Sequence, residues 1–483
     1  MADETDPVLT SANGSIDGPS DSCPYTAPLS YQQKCFWDLS QKHPGACLDI
    51  SIALRLSGKL HEEILRRCFE HVVDRHSALR TRITVLDGGP CQMIDPPDRY
   101  RLDIKSIAPQ PGVEIERLRE MVDDFFNMSF HLLGGDLFRA QLIVLSKNDH
   151  VMLVKIHHII IDGFSVGILF DELWHCYGAM SRRRLPDLPK VHMQYSDYAR
   201  WQRQTRQSWL ANNAKYWKAR LANVEPLKIP IDQSSSDHGA GCPDKNLSLL
   251  TFDFDERLSA GIYVAARCHG TPPALIVLSA YVALLSWWCN QNEFLIPMHV
   301  SGRDEPENIN TIGVFADVLL LRMEVTGKER FEILVDKVIQ EVCAAYEHRS
   351  HWRLFSETDI PHVEKSGRTC FNWTPRSSDE LAGCPSQGIL QQLEGEISVE
   401  RFPCEIPHRF PEIDESSQFA VGFIWMHPGR VITGTLGYNT SILSKDRAEM
   451  LVETLKVAIE RFSEAPEQQI SFGLSEFGKI KTR

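Results

Sequence analysis

Two adjacent histidines, His157 and His158, lie in the run VMLVKIHHIIIDGFS from Val151 to Ser165, with Asp162 and Gly163 just downstream. Imidazole titrates near neutral pH, so a histidine at the end of an apolar run is a candidate proton carrier or metal ligand. Neighbouring residues on a strand point to opposite faces, so the two rings cannot share one task. One ring faces inward and the other faces a cavity or solvent. Asp162 alone does not complete a metal site, and the chain has no H-E-x-x-H motif and no cysteine cluster. The chemistry that fits is proton transfer by one imidazole. There is no P-loop, so an NTPase is not supported. LGGDL at Leu133–Leu137 has the look of a carrier-protein attachment site, but Asp136 occupies the serine's place.

The surrounding pattern says how these residues are delivered. FRAQLIVLS, a polar Lys147-Asn148-Asp149 turn and HVMLVKI read as two strands of a hairpin. From Ser165 to Met180 the spacing turns helical through Val166, Leu169, Phe170, Leu173, Trp174 and Tyr177. The histidines therefore end a strand, and Asp162-Gly163 precedes a helix. Leu60 to Val73 carries another helical stripe. DQSSSDHGAGCPDKN, residues 232–246, reads as a linker. Strand and helix signals after it repeat the earlier order, closing on a hairpin (FAVGFIWM, RVITGTLGYN) and a helix capped by Ser444. Two α+β lobes of comparable build are expected, residues 25–231 and 247–483, behind a disordered acidic tail at 1–24.

At 483 residues with a net charge of −13, the chain is suited to two lobes and poorly suited to nucleic acid or an anionic membrane. The 13 cysteines are scattered without a C-x-x-C pair, the usage of a reduced cytoplasmic protein. The N-terminal residues lack the basic and apolar regions of a signal peptide. The apolar run from Ala274 to Trp288 is short of the roughly 20 residues a span needs, and Pro272-Pro273 suits a helix start, so a buried core helix is expected.

The spacing H-H-x-x-x-D-G resembles the signature of condensation domains of the nonribosomal peptide synthetase type, a branch of the chloramphenicol-acetyltransferase-like acyltransferases. Other blocks resemble that family in its order. In LSYQQKCFWDL, Ser30, Gln33, Trp37 and Leu39 match, and Cys35 stands where arginine is usual. RHSALRT has Ser77 in place of glutamate, and IGVFADVLLLR has Asp317 in place of asparagine. FHLLGGDLFRAQL, YSDYARW, SGR at Ser301–Arg303, FNW and GTLGYN also fit. HRSHWRLFSE around His348 departs from the family, and the block expected after it is not recognisable. Plant-type relatives carry a D-F-G-W-G block that is absent here, and heterocyclisation domains replace both histidines by aspartate.

The resemblance implies two chloramphenicol-acetyltransferase-like lobes in a V-shaped pseudo-dimer, with His158 in a tunnel between them. It implies attack of an amine or hydroxyl on a thioester carried by phosphopantetheine, with no bound cofactor and no metal. The expected partners are a separate acyl or peptidyl carrier protein and a carrier-bound or small acceptor; a free-standing, cytoplasmic, monomeric enzyme is expected. An acyl-CoA-dependent acyltransferase is the alternative. His158 is expected to place the amine and take its proton, and to act as general base for a hydroxyl. The Gly163 N–H, at a helix start, is a candidate oxyanion donor. Asp162 is expected to be structural, because a buried charge needs a partner; Arg303 is the first candidate and Arg322 the second. His157 is expected to make a structural hydrogen bond.

Overall fold

The computed structural model describes residues 23–42, 48–97, 99–106, 114–225, 227–230, 247–327, 329–349, 369–374, 380, 383–386, 389, 393, 397–403, 421–440, 442–467 and 469. Most of the tail and the whole 232–246 linker fall outside them, as does the segment after Arg349.

In chain order the first half contains β1 (Tyr25–Pro28), α1 (Tyr31–Lys42), β2 (Asp49–Gly58), α2 (Glu62–Arg75), β3 (Thr81–Leu86), β4 (Gly89–Ile94), β5 (Asp103–Ser106) and α3 (Glu114–Asn127). It continues with β6 (Phe138–Ser146), β7 (Asp149–His157), α4 (Gly163–Ser181), α5 (Tyr195–Gln204) and α6 (Arg206–Leu221). The second half contains β8 (Leu247–Asp253), α7 (Glu256–Cys268), α8 (Pro273–Cys289), β9 (Glu293–Val300), β10 (Asp317–Glu324) and α9 (Phe331–Glu347). Then come β11 (Phe371–Trp373), β12 (Ile397–Arg401), β13 (Val421–His427), β14 (Thr433–Asn439) and α10 (Lys445–Glu464).

Each half builds one large open sheet. The first is ordered β12-β2-β7-β6-β5 and the second β10-β9-β11-β13-β14-β8. The blocks β5-β6-β7-β2 and β11-β13-β14-β8 share one pattern: a parallel pair, then two antiparallel pairs. The halves are therefore two versions of one build, as the order of sequence signals suggests.

β7 reads as a continuous apolar run because both its faces are covered. Met152, Val154 and Ile156 pack with α2 and α4 in one core. Val151 and Leu153 pack with Leu118, Val122, Phe125 and Phe126 of α3 in another. This two-residue alternation puts Lys155 and His157 on the α3 side. All six apolar α4 positions read from the sequence are buried. In the second half α8 is buried on all sides, which is why its apolar run shows no amphipathic stripe. Among the described residues no single helix is long and apolar enough to cross a membrane.

The lobe boundaries differ from the expected division at residues 231 and 247. β12, late in the chain, pairs antiparallel with β2, and Leu393 and Ile397 join the first lobe's core. Ile312, Val314 and Phe315 are buried in that core too. Conversely, Trp217, Leu221, Val224, Leu227 and Ile229 pack in the second lobe's core. The lobes exchange segments, and that exchange is what assembles the site.

Candidate active site

β7 ends at His157, opposite Asp49 of β2. The His157 N–H donates to the Leu137 carbonyl (2.9 Å) and the His158 N–H to the Leu48 carbonyl (2.7 Å), so both neighbouring strands hold the strand end. Ile159, Ile160 and Ile161 are fully buried behind the turn. Asp162 then caps α4: its Oδ1 accepts from the Ser165 N–H at 2.8 Å.

Asp162 is only 1% exposed, so its charge must be matched inside the protein. Oδ2 accepts from the backbone N–H groups of Phe315 (2.9 Å) and Ala316 (3.1 Å). The Arg303 guanidinium lies 3.4 Å from Oδ1 and donates to Ser165 Oγ at 2.6 Å. Arg303 also donates to the carbonyls of Asn308 (2.6 Å) and Thr311 (2.8 Å), between the rings of Phe164 and Phe315. Burial pulls the Arg303 pKa below its ordinary value, and Asp162 opposes that shift. Asp162 is thus a latch: one carboxylate caps a first-half helix and binds the backbone of a second-half loop.

Arg322 plays no part in this latch. It sits on β10, where it donates to Glu293 (2.7 Å) and to the Arg220 carbonyl (3.0 Å). The strand points it toward the second lobe's own ion pairs, which corrects its assignment as an alternative partner of Asp162.

Three further residues complete the latch and are not among those singled out from the sequence, although Tyr195 and Gly313 lie in the family-like blocks YSDYARW and IGVFADVLLLR. Ser165 Oγ donates to the Gly313 carbonyl (2.8 Å) and accepts from the Gly313 N–H (3.1 Å). Gly313 tolerates no side chain, because a Cβ there would lie 2.0 Å from the Tyr195 ring. The Tyr195 hydroxyl donates to the Val314 carbonyl at 2.7 Å. A helical serine three residues after an N-cap aspartate is the one clue to Ser165.

The two histidines occupy different surroundings. His157 is buried, and its Nδ1 accepts from the Ile159 N–H at 3.1 Å, which leaves the proton of the neutral ring on Nε2. Burial pushes its pKa down to about 4, against a smaller upward pull from Asp49. Beside it the Lys155 ammonium, also buried, meets Asp49 (3.0 Å) and the carbonyls of Phe126 and Met128. His158 is half-buried and stacks on Phe36 of α1, ring centres 4.8 Å apart. Its Nδ1 makes no hydrogen bond of good geometry. Burial lowers the His158 pKa; its own carbonyl, Asp162 and the Ile161 carbonyl oppose that more weakly. The lowered pKa favours the neutral ring, the form that can accept a proton.

Gly163, the first residue of α4, is exposed, and a Cβ built on it would meet nothing within 4 Å. As a first-turn residue its N–H has no partner within the helix. Among the described residues no group of His, Cys, Asp and Glu is arranged to hold a metal ion.

A family profile for the condensation domain matches residues 25–474. The chain belongs to the condensation-domain family, of the type found in nonribosomal peptide synthetases. It is 28% identical over 484 residues to the malpinin synthetase of Mortierella alpina, covering 90% of this chain and 6% of that one. It is 26% identical over 459 residues to the isonitrile lipopeptide synthase of Mycobacterium tuberculosis, covering 93% and 18%. The chain thus spans less than a fifth of the length of these curated relatives. Among solved structures, the X-domain from teicoplanin biosynthesis superposes with a TM-score of 0.72 at 21% identity, covering 94% of this chain and 99% of that one. The starter condensation domain of rhizomide synthetase, a mutant in complex with C8-CoA and Leu-SNAC, gives 0.72 at 15% identity, covering 92% and 96%. The mixed helix-and-sheet architecture, with open sheets, is the condensation-domain fold.

Proposed function

We propose that the protein joins an acyl or aminoacyl thioester, delivered on the phosphopantetheine arm of a carrier protein, to an amine or hydroxyl acceptor. The observation that carries this reading is the half-buried His158 ring just past the end of β7, five residues ahead of Gly163, the exposed first residue of α4. The acceptor nitrogen forms a bond to the thioester carbonyl carbon, the C–S bond breaks, and the thiol leaves. The acceptor's proton passes to His158 and on to the leaving sulfur, so the histidine returns to its neutral form. An α-amine has a pKa of about 7.7–8, so a useful fraction is neutral without help, and alignment supplies much of the rate. An alcohol needs His158 as a true base. The Gly163 N–H donates to the carbonyl oxygen as negative charge develops there.

The test is intact-mass detection of product from a loaded carrier protein and a panel of amines and alcohols, comparing wild type with His158→Ala. New product that disappears in the variant supports the reading; equal product from both contradicts it. An acyl-CoA donor is the second reading, favoured by the similar rhizomide synthetase domain having been captured with C8-CoA. Parallel reactions with acyl-CoA and acyl-carrier protein separate the two.

A further inference from the structure

We propose that Phe36 is the positioning residue for His158, its ring fixing the plane of the imidazole and shielding one face from water. This inference rests on the reading of His158 as the proton-handling group.

A catalytic base is commonly oriented by a third group bonded to its distal nitrogen. No side chain plays that part for His158: its Nδ1 makes no hydrogen bond of good geometry, and only the backbone carbonyls of His158 itself and Ile161 act on the ring there. Both Asp162 oxygens are engaged by Ser165, Phe315, Ala316 and Arg303. What the imidazole does have is the Phe36 ring, stacked at 4.8 Å with only 19° between planes. Offset stacking of this kind is attractive beyond the area it buries.

Phe36 is itself held. Ser30 and Gln33 cap the start of α1 reciprocally, each side chain accepting from the other's N–H at 3.0 Å. The Ser30 hydroxyl is 2.7 Å from the Tyr195 hydroxyl, which donates to Val314. Gln32, one turn before Phe36 on the same helix face, reaches the Phe315 carbonyl at 3.4 Å. The loop that anchors Asp162 therefore also anchors α1. Both sides of the Phe36–His158 stack thus connect to residues 314–316, through Ser30 and Gln32 on one side and Asp162 on the other.

The test has two readouts on Phe36→Tyr, Phe36→Leu and Phe36→Ala. The first needs no substrate: the rate of diethyl pyrocarbonate modification of the peptide containing His158, measured by mass spectrometry on folded protein. The second is kcat and KM with loaded carrier protein. Phe36→Tyr keeps the flat ring and should match wild type in both. Phe36→Leu keeps apolar bulk and an unchanged unfolding midpoint, but should raise His158 modification and lower kcat by about tenfold, the worth of one aromatic pair, with KM unchanged. Phe36→Ala should exceed it in both; if it fails to fold, the Tyr–Leu pair decides. A folded Phe36→Leu protein with wild-type modification and kcat overturns the proposal, as does a change confined to KM. If no protein forms product, the condensation reading fails, while the modification rates still decide whether Phe36 shields His158.

Discussion

A similar local device in each lobe does different work. In the first lobe β7 ends at His157, and five residues later Asp162 caps α4. In the second, β14 ends at Asn439, and five residues later Ser444 caps α10. Ser444 is half-buried and accepts from the Arg447 N–H at 3.3 Å, an ordinary local cap. Asp162 is buried and reaches across to residues 315–316 and Arg303. The residue after the strand end is His158 in one lobe and exposed Thr440 in the other. The helix opens with bare Gly163 in one and Lys445 in the other. A strand, turn and capped helix is thus only a scaffold; a buried cap carboxylate that also binds a distant loop makes it a latch, and an imidazole in the turn makes it a site.

The sharpest separation should come from the turn residues. His158→Ala is expected to lower kcat by about 10²–10⁴-fold, the range of a lost proton carrier, while Thr440→Ala keeps turnover, both measured with loaded carrier protein. The caps should separate next. Asp162→Asn leaves Arg303 without its countercharge in a buried setting and should cost about 3–5 kcal/mol, read as a shifted urea midpoint or lost soluble protein. Ser444→Ala should cost about 1 kcal/mol. If Asp162→Asn folds normally yet loses activity, Asp162 has a chemical role and the latch account fails.

A smaller effect follows from protons. His157 titrates at about 4 in the folded protein against 6.5 unfolded. Between those values the unfolded chain binds a proton that the folded chain does not. Stability should therefore fall as pH drops from 6.5 toward 4, by about 3 kcal/mol in full, with no contribution above 6.5. Hydrogen exchange at pH 7.5 and pH 5 should show the β7–α4 turn losing protection while the β14–α10 turn keeps it. Because the His158 pKa is also lowered, the acid limb of kcat/KM should lie below pH 6.5.

Much of the first lobe's site is legible in the sequence because local periodicity carries it. The apolar run of β7, the helical spacing of α4 and the charge-free run of α8 each reflect surface that must be buried. That two adjacent histidines could not share one task follows from strand geometry alone. Contacts between segments distant in sequence leave no such mark. Nothing local distinguishes Arg303, which turns inward after Gly302 (φ +64°), from Arg322, which β10 directs to Glu293. β12 lies late in the chain, and nothing in its sequence points to the edge of β2 where it pairs. Phe36 is, by sequence, one more apolar helix residue; only the placement of α1 over His158 sets it apart.

The measurement that bears most directly on the account is single-turnover product formation by His158→Ala beside its unfolding midpoint, using loaded carrier protein and the best acceptor. The account predicts a wild-type midpoint with product formation lowered at least about 100-fold. Product formed at the wild-type rate by that folded variant would contradict it.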